Sequence, residues 1–504
     1  MKRSKLLFLV PIIAMLIASL GMPVSAQAQS RCSLYVSTSG SDNNPGTFSH
    51  PWRKVQKAAD TAGPGQTVCV RAGVYKERVK INVTGSASGG PVIFQSYPGE
   101  TAVLDGTGLS VPSGWGPMVE IDNKSFITIQ NFEIRNYRSS AKDHVPIGIF
   151  VTGSGDHIEL RGNRVHNIET LYKGSEGGDA HGIAVYGTAA PQALTNIVID
   201  NNQLYNLKLG SSESLVVNGN VDGWQITNNL VHDNNNIGID AIGFEGNSPD
   251  PAYDQARNGL IRGNTVYNIN SYGNPAYGTD RSADCIYVDG GTKTVIERNV
   301  AHNCNIGIEL ASEHAGKATS LITLRNNFVY NNTEMGIAIG GYDTERGSTQ
   351  ACVIANNTLY NNDTRKSYNG ELEVQFDVRD NVIKNNIFYA NAQKLFISSW
   401  SPVMSGNVMD NNLFYTSGGS GIWQWKNVEY NSFAAYQAGT GNDAHSLYNK
   451  NPLFVSLSPV NLHLKTTSPA IDMGQNLPEA GSVDFDGQPR LQGAGIDIGA
   501  DEVR

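Results

Sequence analysis

A five-residue unit that begins with asparagine recurs through the middle of the chain, and it restricts the fold more than any other feature. Its pattern is Asn-x-apolar-aromatic, with histidine counted as aromatic, and most copies end in Asn or Asp. Successive copies start 39, 27, 35, 35, 28, 30, 29 and 26 residues apart. This spacing is too irregular for propeller blades and is typical of solenoid coils with variable loops. The nine copies begin at Asn163, Asn202, Asn229, Asn264, Asn299, Asn327, Asn357, Asn386 and Asn412.

Short strand patterns with alternating apolar residues lie beside these units, for example at residues 195–200, 224–227 and 294–297. An asparagine tolerates the left-handed backbone of a sharp corner, and its side-chain amide can bond the equivalent amide one coil above and below. The repeat therefore predicts an all-β chain folded as a right-handed parallel β-helix, a solenoid with an internal ladder of asparagines.

The two ends of the chain have a different character. Residues 1–28 combine a basic start, an apolar run at 6–20 and small residues before position 29, which predicts a secretory signal peptide. The apolar run is shorter than a membrane helix requires. We therefore expect a secreted, extracellular or periplasmic protein with a β-helix over residues 29–450 and a C-terminal closing segment over 451–504. Residues 51–62 predict a short amphipathic helix that caps the open end of the solenoid.

The charge and the cysteine content restrict the binding partners that this chain can have. The signal segment contains three of the 37 basic residues and no acidic one, so the remainder has 34 basic against 46 acidic residues, a formal charge of −12. That charge disfavours nucleic acid. We expect a monomer with no membrane partner that binds an extracellular polysaccharide or oligosaccharide. Among five cysteines, Cys32 and Cys69 lie in two early strands and form either a disulfide or two buried thiols.

Both ends of the chain resemble a known group of proteins. Residues 34–47, 55–60, 65–68 and 72–78 resemble the start of bacterial pectate-lyase-like β-helix enzymes, and residues 451–502 resemble a closing segment of secreted β-helix proteins. The resemblance implies the fold and a carbohydrate-active enzyme. It does not imply one reaction, because this fold carries lyases, hydrolases, epimerases and adhesins.

Three consecutive coils align when Ile239, Ile286 and Ile308 are superposed as inward residues. Side chains alternate between the two faces of a strand, so residues one and three places later face outward. The outward residues of these coils are Asp240, Tyr287, Glu309 and Asp289. The flanking coils place Ala184 and Tyr186 on one side and Ala338 and Gly340 on the other. Carboxylates are therefore predicted to concentrate in the middle of the solenoid.

Paired carboxylates are the groups that glycoside hydrolysis requires, one as acid and one as nucleophile or base. Asp289 and Glu309 lie on neighbouring coils about 4.8 Å apart, with an offset of roughly 6.6 Å along the strand, and Asp240 is a third catalytic candidate. The segments 286–291, 296–299 and 308–316 resemble β-helix glycosidases, including bacterial β-xylosidases. This resemblance implies Asp289 as nucleophile and Glu309 as acid/base, with no cofactor required.

Several further residues near these carboxylates are candidates for binding substrate. The histidines can bond sugar hydroxyls, the aromatic residues can stack on sugar rings, and the glutamates can accept hydrogen bonds. The candidates are Tyr287, Glu313, His314, His181, Tyr186, Phe244 and Glu245.

Two other functions fit the same sequence. A polysaccharide lyase of the pectate or alginate type would use Asp240, Asp284 and Asp289 to hold calcium, but the aligned strands contain no lysine to act as base. The nearest lysines are Lys293 and Lys317. A non-catalytic adhesin should have evenly decorated coils, whereas long dissimilar insertions at 241–281 and 313–319 lie near the carboxylates and favour an enzyme.

Overall fold

The computed structural model describes residues 32–503, so the predicted signal peptide lies outside the described residues. Nearly all regular structure in residues 32–503 is β-strand, and it forms three long sheets that the chain visits in turn. Strands of successive coils pair in parallel within each sheet. The fold is therefore the right-handed parallel β-helix that the sequence predicts.

Each sheet contains one face of every coil. The strands of the first sheet are Leu34–Val36, Thr67–Val70, Val92–Ser96, Ile127–Gln130, Gly155–Arg161, Leu194–Asp200, Val221–Thr227, Arg257–Arg262, Thr292–Glu297, Ala318–Ser320, Thr323–Arg325, Ser348–Gln350, Val353–Ala355, Val378–Arg379, Val382–Lys384, Met404–Ser405 and Val408–Asp410. Those of the second sheet are Gly73–Tyr75, Ala102–Asp105, Glu133–Ser139, Arg164–Thr170, Gln203–Tyr205, Leu230–Asn234, Thr265–Ile269, Val300–His302, Phe328–Tyr330, Thr358–Tyr360, Ile387–Ala390, Leu413–Thr416 and Leu447–Tyr448. Those of the third sheet are Val79–Lys80, Gly114–Asp122, His144–Thr152, His181–Gly187, Leu215–Gly219, Ile239–Ile242, Asp284–Asp289, Ile306–Ala311, Met335–Ile339, Leu372–Val374, Leu395–Ser398, Ile422–Trp425 and Val428–Tyr430.

A column of branched apolar residues runs through the interior of the third sheet. Its members pair with one another from coil to coil, and each is fully buried. This column fills the solenoid because every second residue of a half-buried strand points inward. The column includes Ile183, Leu215, Ile239, Ile286, Ile308, Ile337, Leu372 and Ile397.

The first asparagines of the nine repeat units form a continuous buried ladder. The side-chain amide of Asn229, for example, donates to Oδ1 of Asn264 at 3.0 Å and to the carbonyl of Ile199 at 2.9 Å. The backbone N–H of Asn229 donates to the same Oδ1 at 2.8 Å. The eight links between successive members range from 2.9 to 3.2 Å. The predicted ladder is confirmed, and its amides are satisfied in an interior where an unpaired polar group would be costly.

The left-handed corners occupy different positions from the ladder. The residue just before a ladder asparagine has a positive φ, as in Asn201 with φ 55°, and so does the fifth residue of most units, as in Asn206 with φ 54°. The ladder residue Asn202 between them is not left-handed. Asparagines at the first and fifth positions of the unit therefore have separate roles, one in hydrogen bonding between coils and one in turning the chain.

The fourth residues of the first six repeat units stack on the outside of the second sheet. His166, Tyr205, His232, Tyr267, His302 and Tyr330 form a series in which neighbouring ring centroids lie 4.6 to 5.3 Å apart and the rings are nearly parallel. This stack adds side-chain contacts to the backbone pairing, and it explains why the unit requires a flat ring at this position.

Both ends of the solenoid are covered. The predicted N-terminal helix is the short helix Val55–Ala59, which buries Val55, Ala58 and Ala59. Cys32 and Cys69 form a disulfide, which decides between the two alternatives of the sequence analysis. At the other end, the helix Phe433–Thr440 stacks Tyr436 on the buried Trp423 of the last coils.

The C-terminal segment follows the outside of the second sheet. Its hairpin Phe454–Leu457 and Val460–Leu464 packs Phe454 against Tyr389. A short 3-10 helix at Pro478–Ala480 precedes backbone carbonyls that accept from corner asparagines, such as Val483 from Asn326 at 2.9 Å. Within residues 32–503, the helices are all too short and too polar to cross a membrane.

Replacing one rung of the ladder tests its contribution to stability. We expect Asn264→Ala to lower the free energy of unfolding by about 1–3 kcal/mol, because the backbone and amide donors of Asn229 would lose their buried acceptor. Denaturant unfolding followed by circular dichroism measures this change. Gln225→Ala, at an exposed position of a neighbouring strand, is the control and should change little. Equal stability of the two variants would contradict a structural role for the ladder.

A second, shorter ladder predicts a pH dependence of stability. Asn332 donates to Asn362, whose amide donates to the fully buried carboxyl group of Glu371 at 2.6 Å. Burial raises the pKa of Glu371 to about 8, so the native protein retains a proton that the unfolded chain loses near its ordinary pKa. The stabilisation is complete below about pH 4.5 and is lost as the pH rises towards 8.

Glu371→Gln should therefore flatten the fall in melting temperature between about pH 5 and about pH 8. Thermal unfolding at several pH values measures the slope. The exposed Glu345 provides the control substitution Glu345→Gln, which should leave the slope of the native protein unchanged. A slope that is the same in Glu371→Gln and the native protein would contradict proton retention at this residue.

Candidate functional site

The outward face of the third sheet carries the predicted carboxylates. Ile239 pairs with Ile286 and Ile286 with Ile308, so the predicted register of these three coils is confirmed. Asp240 lies opposite Tyr287, which lies opposite Glu309. Asp289 lies two residues further along, opposite Ala311.

One coil of this chain was overlooked when the coils were superposed from the sequence. The strand Leu215–Gly219 lies between His181–Gly187 and Ile239–Ile242, and it pairs Val216 with Ala184 and Asn218 with Tyr186. Placing Ala184 and Tyr186 directly beside Asp240 was therefore wrong. The missing strand reads Leu-Val-Val-Asn-Gly and lacks the Gly-Ile-acidic pattern of the other coils. On the other side, Ala338 follows Glu309 as predicted.

A cavity of about 620 Å³ opens over the strands Asp284–Asp289 and Ile306–Ala311. The carboxyl groups of Asp284, Glu309 and Glu313 line it together with Tyr287. The walls come from the 277–282 loop and from later coils, and they include Tyr277, Arg281, Glu334, Tyr342, Arg365 and Gln375. A concave polar site with aromatic walls is the usual form of a small-molecule or sugar site.

The carboxyl groups of Asp284 and Glu309 lie close enough to interact, and this pair is here called the dyad. Both side chains are almost completely buried. Burial is the main cause that raises the pKa of Glu309 to about 8, and burial together with the negative charge of Glu309 raises the pKa of Asp284 well above its usual range. A carboxyl pair with one shared proton is an acid that stays protonated at neutral pH.

The structure pairs Glu309 with Asp284, whereas the sequence analysis paired it with Asp289. Asp289 lies outside the residues that line the cavity. Its Oδ1 accepts the backbone N–H of Glu313 at 2.7 Å, so it fixes the loop that positions the Glu313 carboxyl group. Burial, followed by the charge of Glu313, raises the pKa of Asp289 well above its ordinary value.

Asp240 lies deeper in the same face. It is 2% exposed, and its Oδ1 has no hydrogen-bond partner among the described residues. Burial, followed by the charges of Glu213 and Asp289, raises the pKa of Asp240. Glu213 is also buried and has a raised pKa for the same main reason. The burial of Asp240 and Glu213 costs least free energy when their side chains are protonated and neutral.

Three ligand atoms of Glu245, Asp289 and His314 lie within 4.8 Å of one another. Oxygen and imidazole donors at this spacing could hold a divalent cation. Of the three aspartates assigned to calcium in the lyase alternative, only Asp289 belongs to this group, and Asp240 and Asp284 do not. The amide of Asn218 donates to Glu245 at 2.7 Å and orients it.

The remaining predicted binding residues occupy different surroundings. His181 is buried, its Nδ1 lies 3.5 Å from Glu213, and burial lowers its pKa to about 4. Tyr287 lines the cavity floor. Phe244 has a left-handed backbone, and Nζ of Lys317 lies 5.1 Å from its ring. Tyr186 packs under an exposed tryptophan, Trp115, at 5.4 Å.

Sequence reasoning missed the cavity walls and the partner of Glu309. Arg281 stacks on Tyr272 at 3.9 Å, and Arg346 stacks on Tyr342 at 4.6 Å. A disulfide between Cys285 and Cys304 links the strand of Asp284 to the start of the next coil. The sequence did contain a signal for this disulfide, because Cys285 directly follows Asp284 and Cys304 lies 19 residues later.

Family comparisons agree with the fold. A family model described as "Pel9A-like, right handed beta helix region" matches residues 34–248, and one described as "Right handed beta helix region" matches residues 258–435. The chain is 41% identical over 438 residues to the uncharacterized protein YwoF of Bacillus subtilis (strain 168). This match covers 87% of the chain and 92% of YwoF.

Two further proteins show more limited similarity. Pectate lyase PEL9 of Emericella nidulans (strain FGSC A4) is 29% identical over 157 residues, which cover 30% of this chain and 38% of PEL9, so the match spans well under half of that relative. A solved structure of XylC in complex with xylose aligns with a TM-score of 0.51 at 12% identity over 93% of this chain and 98% of XylC. At that identity the likeness extends to the fold alone.

Protonation of the dyad can be measured directly. We expect an infrared difference spectrum, wild type minus the double variant Asp284→Asn/Glu309→Gln, to contain a protonated-carboxyl band at neutral pH that weakens as the pH rises through about 8, because burial raises the pKa of Glu309 to about 8. The exposed Glu345→Gln variant is the control. A spectrum without this band at neutral pH would show that the pair is fully ionised.

Proposed function

Because the chain belongs to the family of Pel9A-like right-handed β-helix proteins, we propose that it is a carbohydrate-active enzyme, and specifically a glycoside hydrolase that uses the dyad as its acid. The observation that supports the proposal is the buried Asp284–Glu309 pair, which retains a proton and faces a sugar-sized cavity. Cleavage of a glycosidic bond requires such a proton donor for the leaving oxygen.

The second carboxylate is Glu313. It lines the same cavity as the dyad, and its backbone is held by Asp289. Burial raises the pKa of Glu313, and the Arg346 guanidinium opposes that rise by favouring the ionised form. Carboxyl groups with different surroundings are the arrangement that assigns acid and base roles, and here only Glu313 has a guanidinium that favours its ionised form.

The proposed reaction follows from these positions. The dyad transfers its proton to the glycosidic oxygen as the bond from that oxygen to the anomeric carbon breaks. Glu313, in its ionised form, stabilises the positive charge on the sugar ring and accepts a proton from the water whose oxygen bonds to the anomeric carbon. Tyr287 and Tyr342 provide aromatic surfaces beside the reacting sugar.

A polysaccharide lyase is the second candidate. It is supported by the Glu245–Asp289–His314 group, which could hold a cation, and by the local similarity to a pectate lyase. A lyase needs an unprotonated base close to the uronate α-carbon. The protonated dyad suits that reaction less well than hydrolysis.

The predicted site of action is outside the cell. Two disulfides, Cys32–Cys69 and Cys285–Cys304, support this proposal, because such bonds persist in oxidising compartments. Polysaccharides are the substrates that a secreted enzyme with an open cavity encounters.

The first experiment incubates the purified protein with neutral polysaccharides and polyuronates while recording reducing ends and the ultraviolet absorbance of unsaturated uronates. We expect reducing ends without absorbance, and a loss of activity of at least about a hundredfold in Glu309→Gln and Asp284→Asn. Glu371→Gln is the matched control, because it removes a buried carboxyl group of similar pKa outside the cavity and should retain activity.

The pH profile provides an independent readout. Since the pKa of Glu309 is raised to about 8, the dyad keeps its proton below that pH, and activity should fall as the pH rises through 8. Ultraviolet absorbance that disappears with a chelator, and activity that survives in Glu309→Gln, would support the lyase instead.

A further inference from the structure

Trp115 presents a large aromatic surface on the outside of the third sheet, away from the dyad. Its side chain is 45% exposed. Its ring centroid lies 4.8 Å from that of Phe150 and 5.4 Å from that of Tyr186, and both contacts are edge-to-face. Two buried aromatic residues therefore hold the indole in a fixed orientation while one part of it stays open to solvent. Rigid, half-exposed tryptophan is typical of binding surfaces.

The ring rests on an apolar patch outside the main core. This patch is separate from the interior column of the solenoid and belongs to the strands His144–Thr152 to Ile239–Ile242. Its buried members are Val145, Ile147, Phe150, Ala184, Tyr186, Val216 and Ile242. An apolar platform on the outer face of a sheet is not needed to close the solenoid, so it requires another explanation.

A row of polar atoms without partners connects this platform to the dyad. Asn218, Asp240 and Asp284 occupy three successive coils after the coil of Tyr186. In each of them a buried Oδ1 accepts no hydrogen bond from the described residues, and each side chain is at least nine-tenths buried. Native structures rarely leave such atoms unpaired, so these positions are suited to hydroxyl donors from a ligand.

The spacing fits an extended ligand that crosses the coils obliquely. Three coil steps separate the strand of Tyr186 from the strand of Asp284, about 14 Å at the spacing of paired strands. From Asn218 to Asp284 the row also shifts by five residues along the strands, roughly 16 Å at the rise of a strand. A single sugar ring cannot cover that distance, whereas a short run of linked sugars can. The row offers one aromatic face at its far end and acceptor atoms between that face and the dyad.

The charge of the row selects the kind of sugar. None of Tyr186, Asn218, Asp240 and Asp284 is cationic, and Glu245 and Glu213 lie beside them. A chain of uronates would find no cation in this row to pair with its carboxylates. A neutral polysaccharide, rich in hydroxyl groups, needs no such partner.

We propose that Trp115 forms a remote sugar-binding subsite, and that a neutral polysaccharide lies along the third sheet from Trp115 to the dyad. This inference rests on the proposed hydrolase function, because it takes the dyad as the point of cleavage. It predicts that the enzyme prefers long chains, since only a chain of several sugars reaches both positions.

Binding is tested first, without dependence on catalysis. The inactive Glu309→Gln protein is run in native gels that contain arabinoxylan, galactomannan, mixed-linkage β-glucan or polygalacturonate. We expect retardation on at least one neutral polymer and about tenfold weaker binding when Trp115→Ala is added. Trp115→Phe should restore part of the affinity. Phe48→Ala, at another exposed aromatic residue, is the control.

Retardation on none of the neutral polymers, or retardation that Trp115→Ala leaves unchanged, would overturn the subsite. Trp115-dependent binding of polygalacturonate alone would also overturn the subsite. Failure of the proposed hydrolase function would give a different result. In that case Trp115-dependent binding would occur, but the wild-type protein would release no reducing ends from the bound polymer.

Kinetics on a polymer that binds then tests the position of the subsite. Trp115→Ala should raise KM for the polymer about tenfold and leave kcat/KM for its disaccharide unchanged, because the disaccharide cannot reach from the dyad to Trp115. An equal effect on both substrates would show that Trp115 acts on the dyad through the fold, which contradicts the proposal.

Discussion

The buried asparagine ladder is the interaction on which the rest of the structure depends. Each amide bonds the next coil through its side chain, and each side-chain oxygen also accepts a backbone N–H from the coil before. A shift of one residue in any coil would leave these groups unpaired in an apolar interior, where each loss is costly. The ladder therefore fixes the register of the coils from Asn163 to Asn412, and the loops that join these coils can vary in length without changing it.

A fixed register also aligns the outward side chains, which is how the site arises. Because Ile239, Ile286 and Ile308 share one inward column, the carboxyl groups of Asp240 and Glu309 share one outward column. The disulfide Cys285–Cys304 joins the strand of Asp284 to the start of the coil that carries Glu309. The rigid solenoid can hold acids close together where separate mobile side chains would move apart, and their burial keeps protons that exposed carboxyl groups would release.

The two faces of the third sheet have different roles. The inward face is uniformly apolar and supplies packing, whereas the outward face changes along the axis from the aromatic platform at Trp115 to the acidic row and then to the arginine–tyrosine walls around the dyad. A solenoid can present such a series on neighbouring coils of one sheet, since successive coils repeat the same backbone path. This geometry suits ligands that are themselves linear repeats.

The sequence by itself determined the solenoid, the nine ladder asparagines and the register of the three central coils, because these features repeat and depend on local residue type. It also selected Glu309 and Asp240 as outward acids. The partner of Glu309 was decided by tertiary structure, since Asp284 and Asp289 lie on the same strand and only side-chain packing brings Asp284 to the cavity. The coil Leu215–Gly219 and the platform under Trp115 likewise emerged only in three dimensions, because neither has a motif, and their positions depend on contacts between coils that are distant in sequence.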